Sequence, residues 1–258
     1  MCALEKVFAI GDIHGCYNLL EKLLDKWNPN EEQLVFLGDY IDRGPDSVKV
    51  IKKVMQLVED YDAVALSGNH EQLFLNWLEK PDDLSEFYFN PKVGGAATIQ
   101  SFYDAPTFSI VSDHFSVKEI TAKIQKENKE IIEFMKNLRR FYLWDPYLFV
   151  HAGISANVEN FRESKKDDFY WIREEFFNVP HLAKEIVVFG HTPTVLLNED
   201  KSSNVWVSSC QKKIGIDGGG AIYERGKLHG VIFTKGSTQL TIHSVGLTSD
   251  LTTTTIEI

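Results

Sequence analysis

A chain of 258 residues, 43% apolar and 25% charged, has the composition of a globular protein with a sizeable core, and no stretch approaches the ~18 continuous apolar residues of a membrane span. Its 27 basic and 37 acidic side chains leave a formal charge of −10, which argues against a broad basic face for nucleic acid but leaves room for a local phosphate site. Cys2, Cys16 and Cys210 match no zinc or redox spacing and read as reduced thiols of an intracellular, cytoplasmic protein. The N-terminal "MCALEKVFAIGD" carries no charged-then-apolar leader pattern.

"KVFAI" (6–10) reads as a first strand ending at Gly11, and Leu19, Leu20, Leu23, Leu24 and Trp27 predict a helix over 17–27. "QLVFL" (33–37) reads as a second strand. After Pro45, Val48, Ile51, Val54, Met55 and Val58 trace a second amphipathic helix. "AVALS" (63–67) and "EQLFLNWLEK" (71–80) repeat the pair, so the chain opens as three strand–helix units of parallel α/β type. Residues 81–140 read as a helical insertion or cap within a single domain spanning 1–258, with 117–140 as a charged helix. "YLFVH" (147–151) resumes the strands, and "DDFYWIREEFF" (167–177) reads as helical or irregular. A strand-rich part over 185–245 holds "EIVVFGH", "NVWVSS", "KIGIDGG", "LHGVIFT" and "TQLTIHSV", ending in an antiparallel meander. The threonine-rich tail "LTSDLTTTTIEI" reads as partly frayed.

Five strand candidates each end in a glycine, a histidine or an acid: "FAI-GDIHG", "VFL-GDYIDRG", "ALS-GNHE", "LFV-HAGI" and "VVF-GHTP". Ligands bind at the carboxyl ends of strands in parallel α/β sheets, and glycine lets the backbone turn close to them. The residues delivered there are Asp12, His14, Asp39, Asn69, His70, His151 and His191. Carboxylates, imidazoles and an amide oxygen suit manganese, iron or zinc, and the lack of cysteine argues against a structural zinc. Each motif alone has a plain alternative: Asp12 as a helix cap, His191 as a core histidine, Asp42 and Arg43 as a local ion pair. Their coincidence at five strand ends favours a metal centre.

"GDIHG", "GDYIDRG", "GNHE", "HAG" and "GHTP", in that order between residues 11 and 193, resemble the signature of the calcineurin-like metallophosphoesterases, and "IDGG" (216–219) resembles a further element. More narrowly they resemble the compact bacterial and phage form of the phosphoprotein phosphatases. The resemblance implies a four-layer αββα sandwich of two mixed sheets flanked by helices, and a centre of two divalent ions, manganese above iron or zinc. It implies that Asp12, His14 and Asp39 hold one ion, and that Asp39, Asn69, His151 and His191 hold the other. Arg43 and, through the shorter "FYWIREEFF" match, Arg173 would grip phosphate oxygens. His70 would protonate the leaving oxygen, oriented by Asp42, after direct attack by a metal-bridging hydroxide. The roles suit phosphate ester hydrolysis, which depends on positioning and charge neutralisation, and arginine's planar fork matches two phosphate oxygens.

The resemblance implies a serine/threonine protein phosphatase first, acting on a phosphorylated protein or small phosphate ester, with neither nucleic acid nor membrane as partner. A symmetrical dinucleoside tetraphosphate hydrolase or a small-molecule phosphatase is the alternative. Asp42, Glu71 and Thr192 favour the protein-phosphatase branch, because the dinucleoside enzymes typically differ there. "HAG" in place of the eukaryotic "HGG" agrees with bacterial relatives. A metal-binding scaffold without activity is the reading from another class, and the intact ligand and catalytic positions speak against it.

Overall fold

The computed structural model describes residues 4–103, 114–144 and 146–258. Strands β1 (Lys6–Ile10), β2 (Glu32–Phe36) and β3 (Val64–Ala65) run parallel on one side of a six-stranded sheet. Its other side is the antiparallel set β9 (Leu228–Thr234), β10 (Gln239–Val245) and β11 (Thr252–Glu257), giving the order β11-β10-β9-β1-β2-β3. The second sheet has the order β4-β5-β6-β8-β7, built from Phe141–Trp144, Tyr147–Val150, Ile186–Phe189, Lys213–Gly215 and Trp206–Val207 respectively. Here β5, β6 and β8 are parallel and the edges antiparallel.

Period-two alternation sorts the side chains into layers. Val7 and Ala9 of β1 meet Tyr147 and Phe149 of β5 in the core between the sheets, with Val188, Ile214, Val231 and Phe233. The intervening Phe8 and Ile10 face the other way, onto Leu19, Leu20 and Leu23 of helix α1 (Tyr17–Leu24) and Val50, Ile51 and Val54 of α2 (Ser47–Tyr61). On the far side, Leu148, Val150, Val187 and Phe189 pack on Phe161, Phe169 and Phe176. The protein is therefore helix, sheet, sheet, helix, as the motifs imply. Each parallel triplet directs its carboxyl ends to the same edge of the sandwich. Two long-range bonds close that edge: His151 Nδ1 to the Leu37 carbonyl at 2.9 Å, and the His191 amide to Asp12 Oδ2 at 2.9 Å.

Several elements differ from the sequence expectation. The tail is not frayed: Thr252–Glu257 is an edge strand in register with β10, with Ile256 opposite Leu240. Its β-branched threonines suit an extended, exposed edge. Strand β4 was not expected. The helix expected over 117–140 is two helices, Val117–Glu127 and Lys129–Lys136, divided at Asn128. The Asn128 side chain donates to the Ile124 carbonyl at 3.3 Å, the competition with backbone bonding that ends helices at asparagine. Helices α4 (Pro81–Tyr88) and α5 (Gly95–Ser101) fall in the expected insertion, whose residues 104–113 lie outside the described residues, as does Cys2. Among the described residues no helix is long and apolar enough to cross a membrane. Cys16 is buried and Cys210 exposed, both unpaired thiols.

Candidate metal centre

All the residues expected at the site except Arg173 lie just beyond a parallel strand: Asp12 and His14 after β1, Asp39, Asp42 and Arg43 after β2, Asn69 and His70 after β3, His151 after β5 and His191 after β6. The backbone there is unusual. Among the described residues eight non-glycine residues have positive φ, and five of them are His14, Asp39, Asp42, Arg43 and His191. Strain of this kind collects at functional sites, because the surrounding structure must enforce it. Gly94 (φ 85°) carries its carbonyl to the Arg43 amide at 3.1 Å, and a Cβ there would strike Arg43, so only glycine fits.

Asp39 is the hub. Its Oδ2 lies 3.4 Å from His14 Nε2 and 3.9 Å from His70 Nε2; its Oδ1 lies 3.4 Å from His151 Nε2. His14, Asp39 and His70 form one group with convergent donor atoms, and Asp39, His151 and His191 form another. Asp39 belongs to both groups. Asp12, expected beside His14 and Asp39, falls in neither group: its Oδ2 accepts the His191 amide at 2.9 Å, while its Oδ1 is buried without a partner.

The donor chemistry fits a bound cation. His14 Nδ1 must donate to the Ile41 carbonyl (2.8 Å), and His151 Nδ1 to the Leu37 carbonyl (2.9 Å), because carbonyls only accept. Both Nε2 atoms therefore turn bare lone pairs inward. His151 Nε2 then faces Asn69 Oδ1, another acceptor, at 2.9 Å, and His191 Nδ1 approaches the same oxygen at 2.8 Å. Lone pairs converging in this way repel unless positive charge sits among them, and atoms bound to one ion at ~2.1 Å lie roughly 3 Å apart. In the described geometry the Arg43 guanidinium supplies some of that charge, touching His14 Nε2 and donating to His70 Nε2 at 3.1 Å.

The electrostatics follow from burial. It pushes the Asp12 carboxyl well above its usual range, aided by Asp217 and Asp39. Burial opposes ionisation of Asp39 too, but His151, His70 and His14 outweigh it and hold its carboxyl below the ordinary range. Burial drives His14 and His191 well below the usual imidazole value, keeping them neutral and able to ligate. Burial alone would lower His70 as well, yet the Asp39 and Asp42 carboxylates raise it.

His70 and Asp42 form a buried pair, Nδ1 to Oδ2 at 2.7 Å. The other Asp42 oxygen accepts from Tyr88 Oη and Thr98 Oγ1, both at 2.7 Å, so the insertion helices α4 and α5 fix this carboxylate from behind. The ion-pair alternative for Asp42 and Arg43 does not describe the structure, since Asp42 is taken by His70, Tyr88 and Thr98. Arg173 sits where helix Asp168–Trp171 breaks before Glu174–Phe177, with Nη1 donating to Thr192 Oγ1 at 2.9 Å. Burial lowers its guanidinium pKa, and Asp217, Asp12 and Asp39 oppose that, which brings Arg173 into the electrostatic reach of the centre.

Sequence reasoning missed some supports. Glu71, weighed only as a substrate marker, is fully buried at the start of helix α3 (Asn69–Glu79). It accepts from the backbone amides of Gly68 (2.8 Å), Asp39 (3.0 Å) and Tyr40 (2.8 Å). Asp217 of "IDGG" is buried beside the centre, its carboxyl pushed up to about 6 by burial, and it accepts the Gly219 amide at 2.8 Å. Tyr88 and Thr98 carry no motif, and only their contact with Asp42 reveals them.

The signature of the calcineurin-like phosphoesterases matches residues 5–232. The asymmetrical bis(5'-nucleosyl)-tetraphosphatase PrpE of Oceanobacillus iheyensis is 48% identical over 75 residues, covering 25% of this chain and 30% of that protein. The symmetrical bis(5'-nucleosyl)-tetraphosphatase of Nitrosospira multiformis is 26% identical over 150 residues, covering 57% and 43%. Serine/threonine-protein phosphatase 1 of Salmonella typhimurium is 42% identical over 72 residues, covering 27% and 32%. The chain spans less than half the length of these curated relatives. A solved structure of a candidate diadenosine tetraphosphatase shares the fold over 96% of both chains, with a TM-score of 0.62 at 21% identity. With its signature matched over most of its length and its fold shared, this chain belongs to the calcineurin-like phosphoesterase family.

Proposed function

We propose that this chain is a divalent-metal-dependent phosphohydrolase acting on a dinucleoside polyphosphate of the diadenosine tetraphosphate kind. The observation that carries the chemistry is the convergence of inward lone pairs from His14 and His151 on Asp39, with Asn69 Oδ1 against His151 and His191 and the guanidiniums of Arg43 and Arg173 alongside. Asp12, His14 and Asp39 would hold one ion, and Asp39, Asn69, His151 and His191 the other. Bound there, the ions neutralise phosphate charge and make a hydroxide available near neutral pH. The two arginine forks orient the phosphate for in-line attack.

His70 is the proton donor to the leaving oxygen. Asp42 holds its Nδ1, and the raised imidazole pKa favours a proton on Nε2. Arg43 and a protonated Nε2 cannot both donate along their 3.1 Å contact. A substrate phosphate that accepts the Arg43 donors removes the conflict and frees His70 to act as acid.

The named relatives support the dinucleoside substrate, since two of the three described above are bis(5'-nucleosyl)-tetraphosphatases. The three residues that favour a protein phosphatase all work away from the leaving group. Asp42 orients His70, Glu71 clamps backbone amides, and Thr192 holds Arg173. They report how the centre is built and say little about what departs from it. Phosphoserine or phosphothreonine hydrolysis remains the second reading, favoured by the Salmonella relative. Turnover of diadenosine tetraphosphate and of a phosphoserine peptide, under the same divalent metal, tests the choice. A higher kcat/KM for the dinucleotide is expected, and a clear preference for the peptide overturns it.

A further inference from the structure

Beside the metal centre lies a cavity of about 510 Å³, bordered by Ser155, Asn157, Lys165, Asp167, Trp171 and Glu175. Trp171 links the two. Its ring stands edge-on to the His191 imidazole at 6.1 Å, yet 43% of the residue is open to solvent. Arg173 Nη1 donates to Thr192 Oγ1 at 2.9 Å, so the indole and the Arg173 side chain meet adjacent residues, His191 and Thr192, of one loop. An exposed aromatic residue alone is commonplace. One that forms a wall between a ligand-sized cavity and a phosphate site is a recognition surface.

The charges around the cavity define what it accepts. Lys165 stands against Asp167, Asp168 and Glu175. The Asp168 carboxylate is already engaged, accepting from Ser155 Oγ and from the Lys165 amide at 3.1 Å. The remaining wall is acidic and repels further phosphates, which stay with the arginines. It favours an uncharged group with a flat face for Trp171 and hydrogen-bond donors for Asp167 and Glu175. A nucleoside has these features: a π-face on its base, with ribose hydroxyls and an exocyclic amine as donors.

We infer that this cavity is a nucleoside subsite in which Trp171 stacks the base of the substrate, an assignment that rests on the dinucleoside reading above. Base stacking on an aromatic side chain is strong enough for its loss to weaken binding about ten-fold. The test measures KM for diadenosine tetraphosphate and for inorganic tripolyphosphate, which lacks a base, in the wild type, Trp171→Ala and Trp171→Phe. Trp171→Ala raises the ratio of the two KM values about ten-fold, and Trp171→Phe restores most of it. Calorimetric titration of adenosine monophosphate into the metal-free protein shows a matching loss for Trp171→Ala. Equal KM shifts for both substrates, or unchanged nucleotide affinity, overturn the subsite. So does a KM effect confined to a phosphoserine peptide. If the wild type ignores the dinucleotide but hydrolyses tripolyphosphate, the dinucleoside reading fails, and the nucleotide titration still decides the subsite.

Discussion

At the residue scale, the centre is held in a conformation its side chains would not choose. Each non-glycine residue at positive φ carries about 1–3 kcal/mol of strain, and Arg43 sits at 69°. Arg43→Gly relieves that strain and removes the proposed phosphate-binding fork. We expect kcat/KM to fall about 10²–10³-fold, the scale for losing a preorganised charge-stabilising donor. Thermal or urea unfolding should show stability unchanged or higher. Equal losses of stability and activity would mark Arg43 as structural. His70→Asn removes the proposed proton donor, and proton donation is worth about 10²–10⁴-fold. The loss should be largest for an alkyl phosphate, whose alkoxide leaves poorly, and smaller for p-nitrophenyl phosphate or a phosphoanhydride. A uniform loss across leaving groups would assign His70 to the metal, a role its place beside His14 and Asp39 also permits.

At the scale of elements, single buried side chains tie neighbouring segments together. Glu71 ties the first turn of α3 to the loop after β2 through three backbone amides. Glu71→Ala leaves those amides buried and unpaired, and should cost about 3 kcal/mol or more in denaturant unfolding. In the antiparallel half, His229 of β9 donates from Nε2 to the Ser203 carbonyl at 2.6 Å, while its Nδ1 faces Ser244 Oγ of β10 at 2.8 Å. Burial pulls its pKa down to about 4, against 6.5 for an ordinary histidine. The unfolded chain therefore takes up the proton first as pH falls. The stabilisation is complete above about pH 6.5 and is lost progressively toward pH 4, an effect of about 3 kcal/mol. His229→Gln keeps one donor and one acceptor, so the pH slope of stability between 6.5 and 4 should flatten relative to wild type. An unchanged slope would contradict this account. The first half of the fold was legible because its strands are continuous apolar runs buried on both faces: "KVFAI" is β1 residue for residue. Strand β11 was not, because a threonine run on an exposed edge has the composition of a loop and gains its order from pairing with β10. The break at Asn128 was obscured because the apolar spacing continues across it.

At the scale of the whole molecule, the sandwich brings two parallel triplets to one edge, so residues from 12 to 191 share one centre. Nine of the ten expected site residues stand at glycine-punctuated strand ends, where costly charge draws the eye in the sequence, whereas Arg173 lies between two short helices and was named only through the resemblance. Tyr88 and Thr98 were not, because a hydroxyl that supports a carboxylate from an insertion leaves no spacing signal. The choice between substrates was also illegible in the motifs, which encode the shared centre and not the cavity beside Trp171. The proposed centre would bind two divalent ions and need them for hydrolysis. Chelator-treated protein should take up two manganese ions per chain by calorimetry and regain hydrolysis of p-nitrophenyl phosphate in step with the metal. Asp39→Asn, which weakens both ligand sets at once, should lose both. Turnover that persists without metal, or Asp39→Asn protein with wild-type metal content and rate, would contradict the account.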